Sequence, residues 1–256
     1  MSFTPTRSLV TGASSGIGAA FARALAARGS DLVLVARRED RLHALAAELH
    51  SQYGVTAEVA PADLSRSGIG PELRERTGPV DTLINNAGFA THGLLADSDL
   101  AKLEDEIHVD VRALVSLTGA YLPDQLAAGH GAVVNIASTA SFQPIPGMAV
   151  YGAAKAFVRS FTEAVWHEAR PHGVKVLSVS PGATRTEFFD VVGTPSAAVG
   201  RFQTPEDVVA TALRALDARR TPPGVVSGRA NAMTAAMTRF LPQRMLIDLS
   251  GRLVSA

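Results

Sequence analysis

The segment "DLVLVAR", residues 31–37, is apolar without alternation. A strand of that kind is buried on both faces, which happens when a sheet is covered by helices on each side. Its neighbours repeat the theme. "RSLVTG", "VTAEVAP", "VDTLINNAG", "GAVVNIAS", "GVKVLSVSPG" and "GVVSG" read as further strands. Between several of them lie segments of helical spacing: "IGAAFARALAARG" with a stop at Gly29, "REDRLHALAAELHSQYG" ending at Gly54, a long tract over roughly 100–128, and another over 151–170. A further helix starts near "TPEDVVATAL", with Thr204 as its N-cap. Strands alternating with helices imply an α/β chain with a mostly parallel sheet. No Pro/Gly-rich linker breaks it, so residues 1–256 read as a single domain. At 46% hydrophobic and 19% charged residues, the chain has the apolar material for that core.

"TGASSGIG", residues 11–18, falls between the first strand and the first helix. Glycines at 12, 16 and 18 permit a tight turn, close approach of backbone to a phosphate, and close helix–strand packing. The helix N-terminus behind them offers free N–H groups and a positive dipole end. The spacing is G-x-x-x-G-x-G, and its place after a strand is what points to a nucleotide. A second local feature is "YGAAK", residues 151–155, which puts a tyrosine and a lysine on one helix face with only small residues between. Taken alone it is one turn of an ordinary helix. Ser138 ends the fifth strand thirteen residues earlier, on the side of a doubly wound sheet where ligands bind.

Formal net charge is zero, which gives no reason to propose a nucleic-acid partner. There is no cysteine, hence no thiolate nucleophile or thiolate metal site. The seven histidines are scattered without metal-ligand spacing, and no metal site is expected. No apolar run is long enough to span a bilayer and no signal core opens the chain, so a soluble, cytoplasmic protein is the expectation.

In this order, "TGASSGIG", "NNAG" (85–88), Ser138 in "NIAS", "YGAAK" and "SPG" (180–182) resemble the short-chain dehydrogenase/reductase superfamily in its single-domain form. The likeness runs from Thr11 to Thr186. It implies a Rossmann-type doubly wound sheet, here of seven strands, and a nicotinamide coenzyme. It also implies a Ser138–Tyr151–Lys155 reaction centre acting on a carbonyl or alcohol, and a homodimer or homotetramer. By the same resemblance Gly12, Ser14, Ser15, Gly16, Ile17 and Gly18 hold the coenzyme. So do Asp63 and Leu64 near the adenine, Asn85, Ala87 and Gly88 after the fourth strand, and Pro181, Gly182, Thr184 and Thr186 after the sixth. Lys155 also binds the nicotinamide ribose. Asp63 reads equally well as a cap for the next helix, and the Asn85–Gly88 stretch as a tight turn.

The chemistry explains the residue types. Reduction of a carbonyl takes a hydride to carbon and a proton to oxygen. Tyrosine, with a reference pKa of about 10, is a poor proton shuttle near neutrality; a lysine one turn away stabilises its phenolate. The end of the second strand decides which coenzyme is bound. An acidic residue there would take the ribose 2′-hydroxyl of NAD; Ala36 followed by Arg37 and Arg38 suits a 2′-phosphate instead. NADP(H) through Arg37 is therefore expected over NAD(H).

By the same resemblance, an asparagine is usual where this chain has Asp110, in "VDVRALV", and that asparagine helps hold a water near the lysine and complete a proton relay. Three readings compete: the proton relay survives through backbone groups, which is the favoured one; Asp110 pairs with Lys155 and weakens it; or the protein is a coenzyme-binding regulatory or scaffolding protein with little turnover. Phe142, Ile145, Met148, Phe188 and Phe189 suggest an apolar substrate pocket, with a mobile-looking segment over about 186–203. Beyond it, residues 231–254 carry apolar side chains at 233, 237, 241, 245 and 249, interrupted by Pro242. That pattern fits packing on the domain or on another subunit, or else a membrane surface.

Overall fold

The computed structural model describes residues 3–192 and 202–254. Part of the expected substrate segment, 193–201, lies outside the described residues. Seven parallel strands form one sheet in the order β3-β2-β1-β4-β5-β6-β7. They are β1 Arg7–Thr11, β2 Asp31–Ala36, β3 Ala57–Pro61, β4 Thr82–Asn85, β5 Gly131–Ile136, β6 Val174–Ser180 and β7 Gly224–Val226.

Side chains alternate across each strand, so both faces need cover. On one face Val10, Leu32, Leu34, Val134, Leu177 and Val179 pack with α1 Gly16–Ala26, α2 Glu39–Tyr53 and α8 Pro205–Asp217. On the other, Leu9, Val33, Leu83, Val133 and Val176 pack with α3 Ile69–Thr77, α5 Leu114–Ala128 and α6 Ala149–Ala169. Adjacent residues of one strand thus feed opposite cores, which is why "DLVLVA" cannot alternate.

The sequence reading leaves α3 unassigned. It is a polar helix that opens on "IGP" and buries only Ile69, Gly70, Leu73 and Thr77. Gly70 lies on the α5 backbone, where a Cβ would stand 2.4 Å from the Ser116 carbonyl oxygen. The helical tract expected over 100–128 is α4 Leu100–Ile107 and α5 joined by a π turn, His108–Ala113. Thr204 caps α8 as expected, in a reciprocal box with Asp207.

After α7 Phe188–Val192 and α8, the chain ends in α9 Arg229–Met237 and α10 Gln243–Val254, broken at Pro242. α10 docks through Leu246 and Ser250, whose hydroxyl donates to the Pro144 carbonyl at 2.7 Å. The 233, 237, 245 and 249 side chains remain exposed. The stripe read from the sequence is therefore not the face that packs. Among the described residues no helix is long and apolar enough to cross a membrane.

Candidate active site

Strand order reverses between β1 and β4, and a crevice opens beyond their carboxyl ends. There a cavity of about 680 Å³ runs from Arg37, Arg38 and Asp63, over Ser14–Ile17, to Ser138, Tyr151 and Lys155.

The glycines make its floor. Gly12 has φ 66°, and a Cβ on it would meet Asn86 Nδ2 at 2.7 Å. A Cβ on Gly18 would lie 2.2 Å from the Gly12 carbonyl oxygen, so the first helix sits directly on the turn. Ser15 caps α1 without a side-chain hydrogen bond, and no acid occupies the first turn. The N-terminal N–H groups are left to an anion. Thr11 Oγ1 accepts from the Asn86 and Ala87 N–H groups at 2.9 and 3.0 Å, tying the "NNAG" turn to β1.

Most of the residues expected to hold a coenzyme line this cavity: Gly12, Ser14, Ser15, Gly16, Ile17, Arg37, Asp63, Leu64, Ala87, Gly88, Pro181, Gly182, Thr184 and Thr186. Two do not. Gly18 is a packing glycine. Asn85 turns inward, donating to Thr118 Oγ1 at 3.1 Å and Asn135 Oδ1 at 2.9 Å. It joins β4 to β5 and α5 rather than facing the crevice. The alternative reading of Asp63, as a cap for the next helix, does not hold. The Asp63 carboxylate accepts from the Ser65 N–H at 3.0 Å, a turn within the loop, while Gly68 caps α3. That bond holds the Asp63 pKa below its ordinary value.

At the cationic end, Arg38 is the fixed arginine. Its guanidinium donates to Ser14 Oγ, Ser15 Oγ and Glu187 Oε2, while the Arg37 side chain is exposed at the rim. Glu187 also takes Arg41 at 2.5 Å. Hydrogen bonds from Arg41 and Arg38 bring the Glu187 pKa down to about 2. The sequence placed Arg37 and Arg38 side by side but offered nothing to single out Glu187, 149 residues away.

At the inner end, Tyr151 and Lys155 share one face of α6, with Lys155 Nζ 5.6 Å from the Tyr151 ring centre. Ser138 Oγ accepts from the Ala140 N–H at 3.1 Å, which fixes the hydroxyl at the end of β5. Burial pushes the Tyr151 pKa up; Lys155 and the Ser138 hydroxyl oppose this, and Asp110 and Glu106 reinforce it. The expected effect of Lys155 is present, but burial outweighs it.

Asp110 is buried in the π turn, its Oδ2 2.9 Å from Lys155 Nζ and its Oδ1 accepting the Phe89 N–H at 3.1 Å. Of the three readings, the geometry supplies the contact that the second requires, an ion pair between Asp110 and Lys155. Lys155 also donates to the Ile136 carbonyl at 3.3 Å. Burial alone would lower the Lys155 pKa, but Asp110 and Tyr151 more than offset that and raise it.

Ile145, Met148, Phe188 and Phe189 give the inner end apolar walls, with the Phe188 ring 5.5 Å from Tyr151. Phe142 lies elsewhere, its ring 4.4 Å beneath the Arg159 guanidinium.

Residues 7–195 match the short chain dehydrogenase family. Sulfoacetaldehyde reductase 2 of Chromohalobacter salexigens is 42% identical over 184 residues, covering 70% of this chain and 73% of that protein. A short-chain dehydrogenase from Sphingobium yanoikuyae, solved in complex with NADPH, is 37% identical. It superposes with a TM-score of 0.80 over 92% of this chain and 94% of the other. A 7beta-hydroxysteroid dehydrogenase structure superposes with a TM-score of 0.86 at 28% identity, covering 96% of each chain. The crevice, the glycine turn and the Ser138–Tyr151–Lys155 cluster sit in a chain that belongs to the short-chain dehydrogenase/reductase superfamily, and it is an oxidoreductase.

Proposed function

We propose that this oxidoreductase works with NADP(H) on a carbonyl or alcohol with apolar flanks, and that Tyr151 is its acid/base. The observation that supports this best is the one cavity joining an arginine pair, an anion-binding turn and the Tyr151–Lys155 face. The donor set fits the coenzyme: free helix N–H groups for a pyrophosphate, Arg38 held against Ser14, and Arg37 at the rim for a 2′-phosphate.

When bound, the nicotinamide gives or takes the hydride. The chain's residues do the rest. Ser138, already anchored, orients the substrate oxygen toward Tyr151. Tyr151 keeps its proton because burial disfavours the phenolate, and it delivers that proton to the oxygen in the reduction direction. Lys155 stabilises the phenolate left behind by its charge. Phe188 and Phe189 cover the apolar end and keep water from it.

Titration with NADPH and NADH, followed by nicotinamide fluorescence, tests the coenzyme assignment. NADPH is expected to bind at least about tenfold more tightly, roughly 1.4 kcal/mol. Arg38→Ala or Arg37→Ala should remove most of that difference. Equal affinities would reject the NADP(H) preference while leaving the family standing. Tyr151→Phe should retain NADPH binding and lose turnover with any carbonyl the parent reduces.

A further inference from the structure

A second carboxyl lies behind the Asp110–Lys155 pair. Glu106 is 0% exposed and Asp110 1% exposed. They stand one helical turn apart, a spacing that places Cβ atoms about 6 Å from each other. From the loop after β4, the Thr91 N–H donates to Glu106 Oε2 at 2.8 Å, and the Thr91 hydroxyl faces the same carboxyl. Glu106 Oε1 and Thr91 Oγ1 have no hydrogen-bond partner among the described residues. Lys155 and Tyr151 from α6, and Asp110 from its own helix, lie within electrostatic reach of Glu106. Gly88 presses on the arrangement from above; a Cβ there would meet Asp110 Oδ1 at 2.8 Å and Lys155 Nζ at 3.0 Å.

The charge count makes this arrangement unusual. One buried ammonium faces two buried carboxyls. With both ionised, the cluster carries an uncompensated negative charge out of water, which is costly. A single proton on the two carboxyls makes it neutral. We propose that Glu106 is a positioning residue for the reaction: with Asp110 it forms a buried carboxyl pair behind Lys155 that holds one proton and so sets the charge felt by Tyr151. Burial supports this by raising the Glu106 pKa to about 7, with Asp110 adding to the effect. Loss of the proton adds a negative charge beside Lys155 and disfavours the Tyr151 phenolate. The proton leaves to solvent and returns from it, and the two-carboxyl unit is unchanged by a turnover. The effect on catalysis rests on the assignment of Tyr151 as acid/base; the carboxyl pair does not.

Glu106→Gln tests it, because the amide oxygen can still accept the Thr91 N–H. On protein without coenzyme or substrate, infrared difference spectra against pH should show the C=O stretch of a protonated carboxylic acid that vanishes near neutral pH. Glu106→Gln should abolish that band whichever carboxyl carries the proton, since Asp110 alone ionises against Lys155. A spectrum without the band, or a band unchanged in Glu106→Gln, overturns the pair even if carbonyl reduction is established. The band and its loss support the pair even if the reduction assignment fails. In the alcohol-oxidation direction, where the phenolate is the base, Glu106→Gln should move the rising limb of the kcat/KM profile to lower pH. A profile that coincides with the parent's overturns the link to Tyr151.

Discussion

Asp110 stands where the resemblance leads one to expect an asparagine, and its carboxylate contacts Lys155 directly. An asparagine cannot make that ion pair, and an aspartate cannot offer the amide donor. The exchange therefore changes the charge near Tyr151 rather than the shape of the site. Since Asp110 disfavours the phenolate, Asp110→Asn should shift the rising limb of the oxidation pH profile to lower pH, read from kcat/KM. A shift to higher pH would contradict the charge argument. Asp110→Ala is a different experiment. It removes the carboxylate in direct contact with Lys155 and leaves Glu106 as the remaining buried carboxyl; breaking a buried pair costs up to roughly 3–5 kcal/mol, reduced here by ionisation of Glu106. Urea unfolding of this variant should show that loss.

The elements position these residues with uneven local support. Thr204 and Asp207 satisfy each other's N–H groups at the start of α8. Thr204→Ala should cost about 1 kcal/mol, measured as a lower melting temperature. The stretch between β6 and α7 is held differently, by Glu187 reaching Arg38 and Arg41 at the head of α2. Those partners are well exposed, so the contact adds little stability. Its weight falls on ligand binding, because a carboxylate engages Arg38 next to the Arg37 proposed for a 2′-phosphate. Glu187→Gln is expected to tighten NADPH binding several-fold in fluorescence titration. Weaker binding would mean that Glu187 holds Arg38 in place rather than competing for it. The π turn has the same character: it carries Asp110 inward between two ordinary helical stretches.

For the whole molecule, the buried carboxyls make stability depend on pH. In the folded chain Glu106 keeps its proton to about pH 7, against an ordinary value of 4.5. Between those values the folded state binds more protons than the unfolded state, so stability falls as pH rises through that window. The gap corresponds to at most about 3 kcal/mol. Urea midpoints should therefore be lower at pH 8 than at pH 5, and Glu106→Gln should flatten the difference. A parent midpoint that rises over this range would exclude a proton held by Glu106.

How much was legible in the sequence follows from how local each requirement is. The doubly wound sheet, the turn around Gly12 and Gly16, the Thr204 cap and the Tyr151–Lys155 face each depend on a few neighbouring residues, because buried strands, tight turns and helix faces impose their demands over one short segment. Glu106 was readable in principle, since Leu103, Asp110, Ala113 and Leu117 share its buried stripe. A charge on an amphipathic helix otherwise reads as solvent-facing, and nothing local shows that the loop carrying Thr91 covers it. The helix α3 escaped notice because its few apolar residues find their cover in α5, not in their own pattern. Which partner Lys155 takes, which arginine is fixed over the turn, and whether Asn85 faces the crevice or the core were decided only by the tertiary structure. Each depends on side chains from segments far apart in the chain, 110 with 155, 38 with 187 and 85 with 135. Their energies exist only once the sheet order has brought those segments together.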